Sequence, residues 1–132
     1  MKNILKISLL VLAVSGVAAS CERDDNTEIA GKGGSNTLTV TAKHHGDVIQ
    51  DCMIYIKYNT LDAPASYDDS AKCVSADGTS KATFTNLKKG KYYLYGVGYD
   101  PGIAREVKGG APYTITADNQ TLHYDVPVTE IH

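Results

Sequence analysis

From Thr37 to the C-terminus, apolar and polar side chains alternate at period two, and no stretch repeats with the spacing of a helix face. Leu38, Val40 and Ala42 alternate with Thr37, Thr39, Thr41 and Lys43. Successive side chains of a strand point to opposite faces, so the pattern predicts a strand with one face buried. Val48, Gln50, Cys52, Ile54 and Ile56 share one face of the next stretch, and Met53, Tyr55 and Lys57 share the other. Residues 72–75, 81–85, 91–99, 113–116 and 121–128 continue the pattern, with 91–99 the longest. Asp77-Gly78 is a tight-turn signal, Asn86 to Gly90 turns the chain, and residues 59–70, with Pro64 and several Asp and Ser, read as a loop. Seven short strands in about 95 residues predict an all-β, antiparallel Greek-key sandwich.

The N-terminal residues obey different rules. Lys2 and Lys6 precede an uncharged apolar core over residues 7–14, then a run of small residues over 15–20. A core this short is a secretory signal, since a membrane helix needs about 20 apolar residues. Two cleavage readings stand. Ala18-Ala19-Ser20 suits an ordinary signal peptidase. The same stretch before Cys21 resembles a bacterial lipobox, with Ala18 where Leu is usual, and that resemblance implies acylation of Cys21. The acidic Glu22, Asp24 and Asp25 behind Cys21 resemble the export signal of Bacteroidetes-type surface lipoproteins. The implied location is the outer membrane, lipid-anchored at the cell surface, with the periplasmic face as the alternative. Residues 22–36 lack apolar periodicity and carry three Gly. The expected organisation is a signal peptide over 1–20, an acylated Cys and flexible tether over 21–36, and the β domain over 37–132.

The chain has three cysteines, Cys21, Cys52 and Cys73. An odd cysteine in an exported protein needs an explanation, and a lipid on Cys21 leaves an even pair. Cys52 and Cys73 are then either a disulfide, which exported compartments permit, or two buried thiols. Removing the signal takes the basic count from 13 to 11 against 15 acidic residues, a net charge of −4, which gives no basis for nucleic-acid binding.

The stretch from Ser75 to Tyr99 carries Asp77-Gly78, Ala82, Phe84, Asn86-Leu87, Gly90, Tyr92 and Leu94. This order resembles the signature of prealbumin-like (transthyretin-like) sandwiches, a group that includes carboxypeptidase-regulatory-like and Cna-B-like domains. The resemblance implies that Phe84, Leu87, Tyr92 and Leu94 face a core between two sheets. It implies little about function, which resides in sites rather than folds. The Lys–Asn isopeptide bond of Cna-B-like domains is not expected, because residues 121–128 contain no Asn to join Lys43. The C-terminal Tyr-Arg-Gly-Ser motif of related hydroxyisourate hydrolases is also missing, since the chain ends Thr-Glu-Ile-His.

No G-x-S-x-G elbow and no Gly-rich phosphate motif is present, so no enzyme is expected and no cofactor. His44, His45 and Asp47 cluster, but neighbours on a strand point apart, which argues against a metal shared by the two histidines. Asp68-Asp69 lacks the spacing of a calcium loop. Tyrosine is the unusual residue: nine Tyr stand against one Phe and no Trp. If Tyr92 and Leu94 point inward, Tyr93, Tyr95 and Tyr99 point outward, and Tyr55 joins Tyr93 and Tyr95 if its strand is a neighbour. Tyr offers rigid contact area with a polar tip. Asp69-Ser70-Ala71 resembles an O-glycosylation signal of Bacteroidetes-type exported proteins and marks Ser70. The expected function is a non-enzymatic accessory module that binds a protein partner. The alternatives are a carbohydrate-binding module using the tyrosines and an inhibitor of an envelope protease acting through residues 59–70.

Overall fold

The computed structural model describes residues 29–131. The expected signal segment, Cys21 and residues 22–28 of the expected tether lie outside these residues, as does His132. The described residues form ten strands and no helix: β1 (Lys32–His44), β2 (Asp47–Val48), β3 (Met53–Tyr58), β4 (Asp69–Lys72), β5 (Val74–Ala76), β6 (Thr79–Leu87), β7 (Gly90–Asp100), β8 (Arg105–Ile115), β9 (Thr121–Pro127) and β10 (Thr129–Glu130). One sheet has the order β9-β1-β6-β5, with β2 beside β1, and the other has the order β10-β8-β7-β3-β4. All pairings are antiparallel except that of β9 with β1, which is parallel and departs from the expected wholly antiparallel fold.

Ten strands replace seven for three physical reasons. Asp51, in the left-handed region at φ 55, turns the chain between β2 and β3. That turn shifts the alternation, so Ile49 is buried while Val48 is half-buried and Gln50 is exposed. The stretch over 72–75 divides at Cys73, where the chain leaves the second sheet and enters the first as β5. The C-terminal stretch crosses back at Val128, with β9 in the first sheet and β10 in the second. The longest strand is β1 with 13 residues, not β7 with 11.

The inner faces of the two sheets share one buried cluster, an arrangement compatible with a β-sandwich. Leu38, Val40, Ala42, Ala82, Phe84 and Leu87 come from the first sheet, and Ile54, Ile56, Tyr92, Leu94, Val107 and Ile115 from the second. Asp77 and Gly78 both have positive φ, 53° and 79°, as a tight hairpin between β5 and β6 requires.

β8 is eight residues longer on its N-terminal side than the expected strand over 113–116. Gly109 and Gly110 hid it, because glycine in a strand normally signals a break. Here both permit close approach. A Cβ on Gly109 would lie 2.5 Å from the Pro127 carbonyl oxygen, and one on Gly110 would lie 2.6 Å from the Tyr93 ring. Pro112 is tolerated because β10 pairs only with Val107 and Lys108, which leaves that stretch of β8 as an edge.

The fold also begins earlier than the alternation predicts. Residues 32–36 belong to β1 and not to the tether. Asn36 is fully buried. Its Nδ2 donates to the Leu87 carbonyl at 3.1 Å, and its Oδ1 accepts from the Gln120 amide at 2.8 Å. One side chain thus ties β1 to the end of β6 and to the turn before β9. Asn36→Leu leaves a donor and an acceptor buried without partners, and we expect it to destabilise the domain by about 1–3 kcal/mol. Urea unfolding measures this, and a loss within about 0.5 kcal/mol, as for an ordinary surface change, would contradict the assigned role.

Candidate functional site

The outward face of the second sheet gathers the tyrosines. Across β4, β3 and β7, Ser70, Tyr55 and Tyr95 lie in one row, since Tyr55 pairs with both Ser70 and Tyr95. The next row on that face places Lys57 beside Tyr93, and Tyr93 beside Pro112. Onto the first row the loop before β4 lays Tyr67, a residue that the alternation of the strands does not mark. The Tyr67 and Tyr95 rings are stacked, with centroids 5.6 Å apart and 17° between planes. Tyr55 is tilted against both, at 5.6 Å from Tyr67 and 6.3 Å from Tyr95. Burial, and then the neighbouring Tyr93 and Tyr95 phenols, push the Tyr67 hydroxyl above the ordinary tyrosine range. Tyr93 therefore borders the cluster. Tyr99 does not join it: it pairs with Glu106 farther along β7 and is 54% exposed.

Tyr67 is held by the residue that follows it. The Asp68 amide donates to the Ile56 carbonyl at 2.9 Å. Asp68 Oδ2 accepts from the Tyr58 amide at 2.8 Å, and Oδ1 lies 3.4 Å from Lys57 Nζ. The Asp68 carboxylate is committed to the loop rather than presented as part of a calcium loop. Asp69 and Ser70 belong to β4 and not to the expected loop. Ser70 is exposed, so the hydroxyl marked by the glycosylation resemblance is accessible. Tyr55, Tyr67, Asp68, Asp69 and Ser70 line an open cleft of about 420 Å³. Such a cleft offers aromatic faces, carboxylate acceptors and a hydroxyl within one contact area.

Cys52 and Cys73 are joined by a disulfide with Cα atoms 5.1 Å apart. Both are buried, and the Cys73 amide also donates to the Cys52 carbonyl at 2.7 Å. The bridge therefore pins the head of β3 to the point where β4 gives way to β5.

A second cluster stands where β1, β7 and β10 end or meet. His44 is buried, with Nδ1 2.7 Å from Asp100 Oδ2 and Nε2 3.0 Å from Glu130 Oε1. Asp100 and Glu130 carry no motif and lie 56 and 86 residues from His44, so sequence spacing gives no sign of the grouping. The hydrogen bonds to Asp100 and then Glu130 raise the His44 pKa. Glu130 falls to about 2, through its own backbone N–H and then His44 and Thr129. The His44 contact, and then the Gly102 amide, lower Asp100. Asp47 pairs with His44 through the backbone and is exposed. His123 stands apart in β9, 2.7 Å from Asp125.

No protein-family model matches the chain, and no curated protein matches it.

Proposed function

We propose that the chain is a non-enzymatic binding module of a lipid-anchored envelope protein, and that it presents the Tyr55, Tyr67 and Tyr95 face to a protein partner. The stacked tyrosine cluster is the observation that carries this reading. Three half-buried rings, fixed by a loop that is itself hydrogen-bonded to β3, give contact area without much conformational entropy left to lose on binding. Aromatic residues of this kind are enriched among the side chains that dominate interface energetics. The core positions of Phe84, Leu87, Tyr92 and Leu94 support a prealbumin-like relationship for the fold.

The lipid on Cys21 supplies the location. Residues 22–29 are all that separate Cys21 from Ala30, whose amide donates to Asn59 Oδ1 at 2.7 Å. Eight residues span at most about 28 Å, so an anchored module stays close to its membrane. The acidic residues after Cys21 favour the cell surface over the periplasmic face.

A carbohydrate ligand is the second reading, and the open cleft favours it. Tyrosine faces suit the C–H faces of a sugar ring, and the adjoining Asp69 carboxylate and Ser70 hydroxyl suit its hydroxyls.

Photo-crosslinking in intact cells from position 95 is expected to trap one protein species of defined mass. Against that partner, Tyr95→Ala is expected to weaken binding about 30-fold, the effect of a central aromatic contact worth roughly 2 kcal/mol. A glycan-array signal that Tyr95→Ala abolishes would replace the protein partner with a sugar. Neither a crosslink nor an array signal would sink both readings.

A further inference from the structure

His44 and His45 do not obey the strand rule that would separate them. β1 ends at His44, and His45 turns into the left-handed region at φ 52. Their ring centroids are consequently 4.1 Å apart. Nitrogen atoms of both rings and a carboxylate oxygen of Glu130 all lie within 4.8 Å of one another. This brings two imidazoles and one carboxylate, from the end of β1 and from β10, to one point on the molecule.

The tautomer of His44 follows from its partners. Asp100 Oδ2, at 2.7 Å, accepts the Nδ1 proton. Asp100 is fixed in turn by the Gly102 amide, which donates to its other oxygen at 2.8 Å. A carboxylate behind a histidine in this way is the usual support of a metal-bound imidazole, since it orients the ring and raises its basicity. With Nδ1 carrying the proton, the Nε2 lone pair faces Glu130 Oε1 across 3.0 Å. Two electron-rich atoms at that distance need a cation between them, either a proton or a metal ion. Two donors on one tetrahedral zinc lie roughly 3.3 Å apart, so a small outward movement of Glu130 admits the ion. His45 is exposed and free to adjust, and Glu130 is half-buried with Thr129 Oγ1 donating to its Oε1 at 2.9 Å, so one side of the group is open to water.

We propose that His44, His45 and Glu130 bind a divalent transition-metal ion of the zinc class, with Asp100 as the positioning residue for His44. Nitrogen and carboxylate donors in this ratio suit zinc rather than calcium or magnesium, which prefer oxygen alone. The site is independent of the tyrosine face, five residues farther along β7 from Tyr95.

The test uses the untagged full chain, stripped with EDTA and dialysed, then titrated with zinc chloride by calorimetry and followed by thermal unfolding. One equivalent is expected to bind and to raise the melting temperature. His45 is exposed, so His45→Ala keeps the fold, and it is expected to weaken zinc at least about tenfold. Asp100→Asn is expected to weaken it by about 10–100-fold. His123→Ala, at an exposed pair elsewhere, is expected to bind as the wild type does. Absence of saturable one-equivalent binding, or wild-type affinity in His45→Ala, overturns the proposal and leaves His44 as a protonated clasp between Asp100 and Glu130.

Discussion

Replacing Cys52 and Cys73 together with alanine is expected to lower the thermal midpoint of the domain by on the order of 10–20 °C. The bridge closes a loop of 21 residues in sequence separation. In the chain-entropy treatment a loop of that size constrains the unfolded chain by about 3 kcal/mol. The described domain has about 100 residues, a size at which each kilocalorie moves the midpoint by about 4–8 °C. The location makes the loss local as well as global. Cys73 is where the chain changes sheets, and β4, which depends on that crossing, is an edge strand paired only with β3. Without the bridge β4 loses its fixed end, and the cleft that Asp69 and Ser70 line with Tyr55 and Tyr67 opens before the rest unfolds. Hydrogen exchange should show protection falling first over residues 69–72. Because both sulfurs of the bridge are buried, a reductant should cleave it only after the domain opens. Calorimetry on the double variant decides the point: a midpoint within about 3 °C of the oxidised protein would mean that the bridge does not constrain the unfolded chain.

Much of the fold was legible from the alternation of apolar and polar residues. Leu38, Val40 and Ala42, then Ile54 and Ile56, then Tyr92 and Leu94, occupy the core positions that period two predicts. The Asp77-Gly78 hairpin follows from local backbone chemistry and is equally visible. What stayed hidden depends on contacts distant in sequence. Asn36 reads as a polar tether residue until Leu87 and Gln120 supply its partners. Gly109 and Gly110 read as breakers until Pro127 and Tyr93 come close enough to exclude a side chain. The outward tyrosines divide the same way. The pairing of Tyr55 with Tyr95 follows from parity once their strands are neighbours, whereas Tyr67 arrives from a loop and has no period to betray it. For the two histidines the strand rule itself misled, because one positive φ at His45 reverses where the second ring goes.

Tyr92→Ala should cost the most of any single change, about 3–5 kcal/mol, as expected for truncating a fully buried aromatic ring. Against a total stability of about 5–15 kcal/mol, that is at least about a fifth of what keeps the domain folded. Tyr92→Phe separates the ring from the hydroxyl. The ring packs in the core, edge-on to Tyr58 with centroids 5.8 Å apart. The hydroxyl donates to the Lys88 carbonyl at 2.7 Å and accepts from the Gly31 amide at 2.9 Å. The Lys88 amide in turn donates to the Gly31 carbonyl at 2.8 Å, so residues 30 and 31 are clasped against the turn that leads into β7. Tyr92→Phe should therefore keep the core, cost about 1–3 kcal/mol, and expose the Gly31 amide to fast hydrogen exchange. Unchanged protection at Gly31 would show that the hydroxyl does not hold this segment. The clasp bears on placement as much as on stability. With residues 30 and 31 fixed, the distance from the proposed lipid on Cys21 to the domain is set by residues 22–29 alone. Releasing them lengthens the leash by two residues up to the Lys32–Leu87 pairing of β1 with β6, and by six if the chain opens as far as Asn36. A variant that stays folded but crosslinks to different neighbours in intact cells from position 95 would show that the clasp sets where the tyrosine face can reach.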